Sequence, residues 1–268
     1  MTKSSQTYST DLKYSEWMLI AEFFPTYRRG RPCKWTRRQI VNAILYVTRT
    51  GCQWRMLPKE LPPWQTVYGY FRRWTRSGVW SRLNAALVAL VRTRQGRAAQ
   101  PSAAIIDSQS VKTSEGGEQR GVDVYKQTAG RKRHIVVDTL GLLLIVVVHS
   151  ASLQDGTAGK LVLQKLFELI KHSVYNRYCR LKLLWADAAY QGICEHVRKQ
   201  FGWQLDIVRR LEGYKGFLVL PRRWIVERTF GWLGRYRRLA RDYEHTVAAS
   251  EAMTYLASIR RMLKLLST

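Results

Sequence analysis

Ala103-Ala-Ile-Ile-Asp107-Ser-Gln-Ser-Val-Lys112 is the stretch on which the reading of this chain turns: an apolar run of strand character that ends in an acid. The pattern returns in Leu181-Lys-Leu-Leu-Trp-Ala-Asp187, and a third acid, Glu227, opens a helix expected over Trp224 to Tyr243. An ionised carboxylate at the end of an apolar strand is costly unless it is paired or bound to a cation. The remainder is strongly basic, with 45 Lys and Arg against 19 Asp and Glu, a formal net charge of +26 over 268 residues. A divalent metal accounts for the three acids, and a phosphodiester is the substrate that such a site suits in so basic a protein.

Around these acids the pattern is of strands and helices in alternation. Arg133 to Asp138 and Leu142 to His149 flank a turn at Leu140-Gly141 and predict a hairpin, Asp155-Gly156 starts a helix, and Leu205 to Val208 is a further short strand. The order strand, strand, strand, helix, strand, helix, strand, helix is an α/β arrangement. Residues 114–133 read as a mobile basic loop. On the helix expected after Trp224, Glu227 shares a face with Arg223, Gly231, Gly234 and Arg238. Asp155 fits a helix N-cap and Asp138 a turn, while His134 fits a structural role at the mouth of a strand.

The first ninety-odd residues read as four helices, at 15–24, 36–49, 64–78 and 80–94, the second opened by Thr36 and Gln39 in capping-box spacing. A small, polar, Pro-containing stretch (QGRAAQPS, 95–102) follows, so the expected division is a helical, helix-turn-helix-like DNA-binding domain over 1–97 and an α/β domain over 98–268. Arg72, Arg73 and Arg76 on the third helix are the expected DNA contacts of the first domain. No run approaches about 18 uninterrupted apolar residues, and no Walker-type phosphate loop occurs. The expectation is a soluble cytoplasmic protein with neither a membrane nor a nucleotide as partner. Cys33, Cys52, Cys179 and Cys194 are too scattered for a zinc site or a disulfide framework.

Ile-Ile-Asp107-Ser-Gln-Ser-Val-Lys, Gly130-Arg-Lys-Arg-His-Ile-Val-Val-Asp-Thr, Ala-Asp187-Ala-Ala-Tyr-Gln-Gly and Arg-Trp-Ile-Val-Glu227-Arg-Thr-Phe-Gly-Trp-Leu together resemble the DDE transposases of bacterial insertion sequences, specifically the insertion-sequence-five family. The resemblance spans nearly the whole chain, including Gly51-Cys-Gln-Trp-Arg-Met-Leu-Pro and Pro63-Trp-Gln-Thr-Val-Tyr. It implies a ribonuclease H-like mixed-sheet catalytic domain in which Asp107, Asp187 and Glu227 are both catalytic groups and metal ligands, for Mg²⁺ with Mn²⁺ able to replace it. The implied activity is cleavage at transposon ends and joining of the 3′ hydroxyls to target DNA. The implied partners are double-stranded DNA and, since two ends are paired, a second copy of the chain or a larger homo-oligomer. Lys112, Arg131, Lys132, Arg133, Arg223, Arg228, Arg235 and Arg238, which accompany these motifs, are the expected phosphate contacts. Of the related signature Tyr, two residues, Arg, three residues, Glu, six residues, Lys or Arg, the chain keeps Arg223 and Glu227, with Leu220 at the Tyr position and Gly234, beside Arg235, at the last. A rival reading is a DNA-binding repressor or domesticated transposase without catalysis. A tyrosine recombinase acting through Tyr236 or Tyr243 is a more distant one.

Overall fold

In the computed structural model, residues 8–24, 34–114, 116–171, 178–209 and 222–267 are described. Cys33 and Leu220 lie outside them. The amino-terminal helices are α1 (Tyr14–Met18), α2 (Arg37–Thr50), α3 (Trp64–Arg76) and α4 (Val79–Arg94). The expected first helix is cut short at Met18 and gives way to a 3-10 turn at Ala21–Phe23. α2 has the capping box read from its sequence: the Gln39 amide donates to Thr36 Oγ1 at 3.3 Å, and the Thr36 amide donates to Gln39 Oε1 at 2.9 Å.

The sheet comprises β1 (Ala103–Lys112), β2 (Gly121–Asp123), β3 (Thr128–Asp138), β4 (Leu143–Ser150), β5 (Leu183–Ala186) and β6 (Gln204–Ile207). β3 pairs antiparallel with β1 on one side and with β4 and the short β2 on the other, while β1 continues through parallel pairing to β5 and then β6. Helices α5 (Asp155–Lys171), α6 (Cys194–Phe201), α7 (Arg223–Gly234) and α8 (Val247–Ser267) complete the chain. β1 outruns the apolar stretch that announced it, because Ser108, Gln109 and Ser110 go on pairing with β3. Asp107 therefore sits within the strand rather than at its end. The segment expected as a loop over 114–133 contains β2 and the start of β3.

β4 is an edge strand, and side chains cover its free backbone groups. Tyr255 Oη and Glu251 Oε1 on α8 accept the amides of Val146 and Val148 at 3.4 and 3.0 Å, and Asn84 on α4 donates to the Leu143 carbonyl at 2.6 Å. α4 and α8 thereby join the amino-terminal helices to the sheet. Arg92, also on α4, pairs with the buried Asp138, which accepts the amides of Leu140 and Leu142 in the turn role expected of it.

The helix expected over Trp224 to Tyr243 ends at Gly234, and the chain turns through a 3-10 segment at Arg237–Leu239. Two glycines in its second half lower helical propensity, and the segment beyond is held elsewhere by buried arginines. Arg131 reaches from β3 to Asp242 Oδ2 (3.2 Å) and to the carbonyls of Glu244 and His245 (2.8 and 2.9 Å); Arg133 donates to the Leu239 and Arg241 carbonyls (2.6 and 3.1 Å). α7 itself rests on the β3–β4 turn, where Thr229 Oγ1 donates to the Gly141 carbonyl at 3.1 Å. Gly141 has φ +79°, and a Cβ there would lie 2.8 Å from Thr229 Oγ1 and 3.1 Å from Trp232. Gly141→Ala is expected to lower stability by about 1–3 kcal/mol, read as a drop in the urea midpoint.

Candidate active site

β1 and β5 run parallel with Ile105 beside Trp185, so Asp107, two residues on along β1, lies near Asp187, the residue that follows β5, and feels its charge. Asp107 Oδ1 accepts the Ser108 amide at 2.7 Å. Asp187 follows β5 and caps the 3-10 turn Ala188–Ile193, its Oδ1 accepting the Ala189 amide at 3.0 Å. Glu227 is in the second turn of α7. Arg223, one turn earlier, places a single Nη2 3.8 Å from Asp187 Oδ2 and 3.4 Å from Glu227 Oε1. Thus the structure brings the second and third acids to one guanidinium and the first within electrostatic reach of the second.

Burial pushes the Asp107 carboxyl up to about 6, against the Ser108 amide, which favours the charge; the nearby charge of Asp187 adds to the rise, and Arg223 and Lys126 oppose it. Among the described residues no group of three or more His, Cys, Asp or Glu side chains is closed around a metal position. The donor set fits a hard divalent cation: three carboxylates, oxygen donors throughout, two of them paired with one arginine. The Glu227 side chain is 54% exposed and open to a ligand.

Beneath the acids lies a layer of satisfied polar groups that sequence reasoning missed. Asp155 Oδ1 accepts from Ser108 Oγ (2.8 Å) and Lys132 Nζ (3.0 Å), and Asp123 accepts from Ser110 Oγ (2.6 Å) with Lys132 at 3.5 Å. Burial works against the Asp155 charge, but the Lys132 and Ser108 hydrogen bonds outweigh it and hold the carboxyl below the ordinary range. The Asp155 side chain thus faces the strands instead of serving as the expected N-cap. His134 is buried, and burial followed by the influence of His149 pushes its pKa down to about 3, so it is neutral. Its Nε2 lies 2.6 Å from Tyr190 Oη and its Nδ1 3.3 Å from His149 Nε2, while His149 Nδ1 lies 2.9 Å from the Ser150 carbonyl. A carbonyl only accepts, so the protons are assigned in one direction: Tyr190 donates to His134, His134 to His149 and His149 to Ser150. Both His134 nitrogens are thereby occupied, and the chain anchors Tyr190 three residues after Asp187. No periodicity signals it, since its members come from three separate elements.

The expected phosphate contacts divide by burial. Arg72, Arg73 and Arg76 are exposed along α3 and line an open groove. Lys112 and Arg235 are exposed, and Arg223 is beside the acids. Arg228 is sandwiched between Trp224 and Trp232, 4.2 and 4.5 Å from their ring centres. Arg131, Lys132, Arg133 and Arg238 are buried, and their place among the phosphate contacts is corrected: the first three hold the partners already described, and Arg238 donates to Glu244 at 2.6 Å and to the Cys52 carbonyl at 3.2 Å. Tyr236 is buried as well, and Tyr243 is exposed.

A mixed sheet of this order, with one acid on β1, a second just after the adjacent parallel β5 and a third on a later helix, defines the ribonuclease H-like class. Residues 98–261 match the family described as "Transposase DDE domain", and residues 12–84 match the family of IS4/5 transposases. The chain belongs to the DDE transposases of insertion sequences, in their IS4/5 group. It is 31% identical over 112 residues to "Insertion element IS402 uncharacterized 16.2 kDa protein" of Burkholderia cepacia, covering 39% of this chain and 75% of that protein. "Uncharacterized protein y4sN" of Sinorhizobium fredii (strain NBRC 101917 / NGR234) is 31% identical over 77 residues, 28% of this chain and 62% of its own length. The solved structure "Crystal structure of the Mos1 mariner paired end complex with Mn" is similar over 93% of this chain and 83% of its own, at 12% identity and a TM-score of 0.29, too slight a likeness to bear on the site.

The raised Asp107 pKa has a measurable consequence. Ordinary carboxyls of this type titrate at 3.8, so above about pH 6 the fold carries an ionisation penalty absent from the unfolded chain. Asp107→Asn in EDTA at pH 7.5 should therefore stabilise the protein, on the order of 1–2 kcal/mol. Melting curves should show that gain shrinking as the pH falls from 6 towards 4, where the native carboxyl is already protonated.

Proposed function

We propose that the protein binds the terminal inverted repeats of its element, cleaves the DNA at the ends and joins the 3′ hydroxyls to target DNA, with Asp107, Asp187 and Glu227 as the catalytic carboxylates. The observation that carries this reading is the proximity of Asp107 on β1 to Asp187 at the end of the adjacent β5, with Glu227 joined to Asp187 through Arg223. These three residues would hold Mg²⁺, with Mn²⁺ able to replace it. Bound there, the ions supply an acidified attacking oxygen and a stabilised leaving oxygen at the scissile phosphate.

The chain's own groups do the rest. Asp187 and Glu227 present oxygens from a capped turn and a helix whose positions are set by backbone hydrogen bonds, so little ordering remains for the moment of reaction. Arg223 lies between Asp187 and Glu227, and its guanidinium would pair with a phosphate oxygen of the DNA. Lys112, Arg228 and Arg235 are assigned to phosphate contact, and Arg72, Arg73 and Arg76 give the amino-terminal helices a basic surface. We assign 1–97 to end recognition and 98–268 to catalysis, a division that falls between α4 and β1. Joining two ends calls for a homodimer or larger assembly on DNA. No helix among the described residues is long and apolar enough to cross a membrane, and the DNA substrate points to action in the cytoplasm at the nucleoid.

The test is incubation with duplexes carrying the element's ends, with Mg²⁺ or with EDTA. Asp187→Ala and Glu227→Ala should each lower end cleavage by about 10³-fold or more while duplex affinity, measured in EDTA, stays close to that of the wild type. Binding without any cleavage by the wild type would favour the non-catalytic DNA-binding reading. A covalent DNA adduct formed in EDTA would favour a tyrosine recombinase.

A further inference from the structure

β5 ends at Ala186, and its ladder with β1 ends where Ile105 meets Trp185. Asp187 therefore stands beyond the strand, at the start of the turn Ala188–Ile193, and its spacing from Asp107 depends on what fixes that turn. Tyr190 spans the gap. Its amide donates to the Asp187 carbonyl at 3.2 Å, its ring is buried, and its hydroxyl lies 2.6 Å from His134 Nε2 on β3. A Cβ on Gly159 of α5 would come within 2.9 Å of the Tyr190 ring, so only a bare backbone admits the ring there.

His134 is the far end of this brace. It stands opposite Ser108, the neighbour of Asp107, in the β1–β3 register. Cross-strand partners share a face of the sheet while successive residues alternate. The bond from Tyr190 to His134 thus lies on the face opposite the Asp107 carboxylate, and it joins the turn that carries Asp187 to the strand pair that carries Asp107. His149, 3.3 Å from His134 Nδ1 and 2.9 Å from the Ser150 carbonyl, holds the His134 ring in place. Burial, and then the charges of Asp107, Asp155 and Asp187, push the Tyr190 pKa well above its ordinary value, so these carboxylates lie within electrostatic reach of its hydroxyl.

We infer that Tyr190 is a positioning residue for the metal-holding acids: through His134 it fixes the turn from which Asp187 presents its carboxylate beside Asp107. The inference rests on the assignment of Asp107, Asp187 and Glu227 made above and adds a residue that neither holds the ion nor reacts. Removing a group that orients a metal ligand from behind lowers metal affinity by about 10- to 100-fold. Tyr190→Phe keeps the ring against Gly159 and takes away the hydroxyl alone.

The test follows the EPR signal of free Mn²⁺ during titration of the full chain without DNA. Tyr190→Phe should weaken Mn²⁺ binding about 10-fold, and His134→Leu should do the same. His134→Gln, whose amide can accept from Tyr190 and donate to His149, should bind Mn²⁺ more tightly than His134→Leu. Asn84→Ala, which removes a buried hydrogen bond between α4 and β4, controls for stability alone and should bind as the wild type does. In end cleavage, the deficit of Tyr190→Phe should narrow as Mn²⁺ is raised. Wild-type Mn²⁺ affinity in Tyr190→Phe would overturn the inference, as would an equal loss in Asn84→Ala. Mn²⁺ binding left unchanged by Asp187→Ala would overturn the assignment of the acids themselves, a failure distinct from that of Tyr190.

Discussion

The burial of one carboxylate, Asp107, beside a second, Asp187, is the constraint around which the site is arranged. Asp187 follows the strand next to that of Asp107, and Arg223 bridges Asp187 and Glu227. Burial raises the Asp107 pKa, and the Ser108 amide, Arg223 and Lys126 offset that only in part. Rigid neighbours fix the site: the Ser108 amide, the capped turn after Asp187 and the α7 backbone resting on the β3–β4 turn. A site that dislikes its own charge is one that gains most from a cation.

The same economy governs the basic residues. A formal charge of +26 invites the picture of one cationic surface, yet much of it is framework. Arg92, Arg131, Arg238 and Arg260 each hold a buried carboxylate, and Arg133 ties two carbonyls of the segment after α7. These guanidiniums keep β3, the carboxy-terminal segment and the amino-terminal helices in register. What stays exposed includes Arg72, Arg73 and Arg76 on α3, Lys112 on β1 and Arg235 after α7.

The parts of the fold that follow from local pattern were legible in the chain. The β3–β4 hairpin, the capping box of α2 and the helices α3 and α4 are written in apolar periodicity and turn residues. The acids stood out because each is tied to an apolar run. What escaped depends on partners distant in sequence. The triplet Arg131-Lys132-Arg133 looks like a solvated cluster until Asp242, Asp155 and the Leu239 carbonyl arrive from elsewhere in the chain. Ser108, Gln109 and Ser110 conceal the true length of β1 because polar residues there face a buried hydrogen-bonded layer. The chain from Tyr190 through His134 to His149 has no signature along the sequence at all.

One edge of the sheet carries an implication for assembly. The outward amides of Val146 and Val148 are already engaged by side chains of α8, and Asn84 occupies the Leu143 carbonyl. A neighbouring polypeptide cannot extend the sheet at β4 without first prising α8 away. Two copies cannot pair through β4 while α8 is seated, so that border is closed to self-association by strand addition.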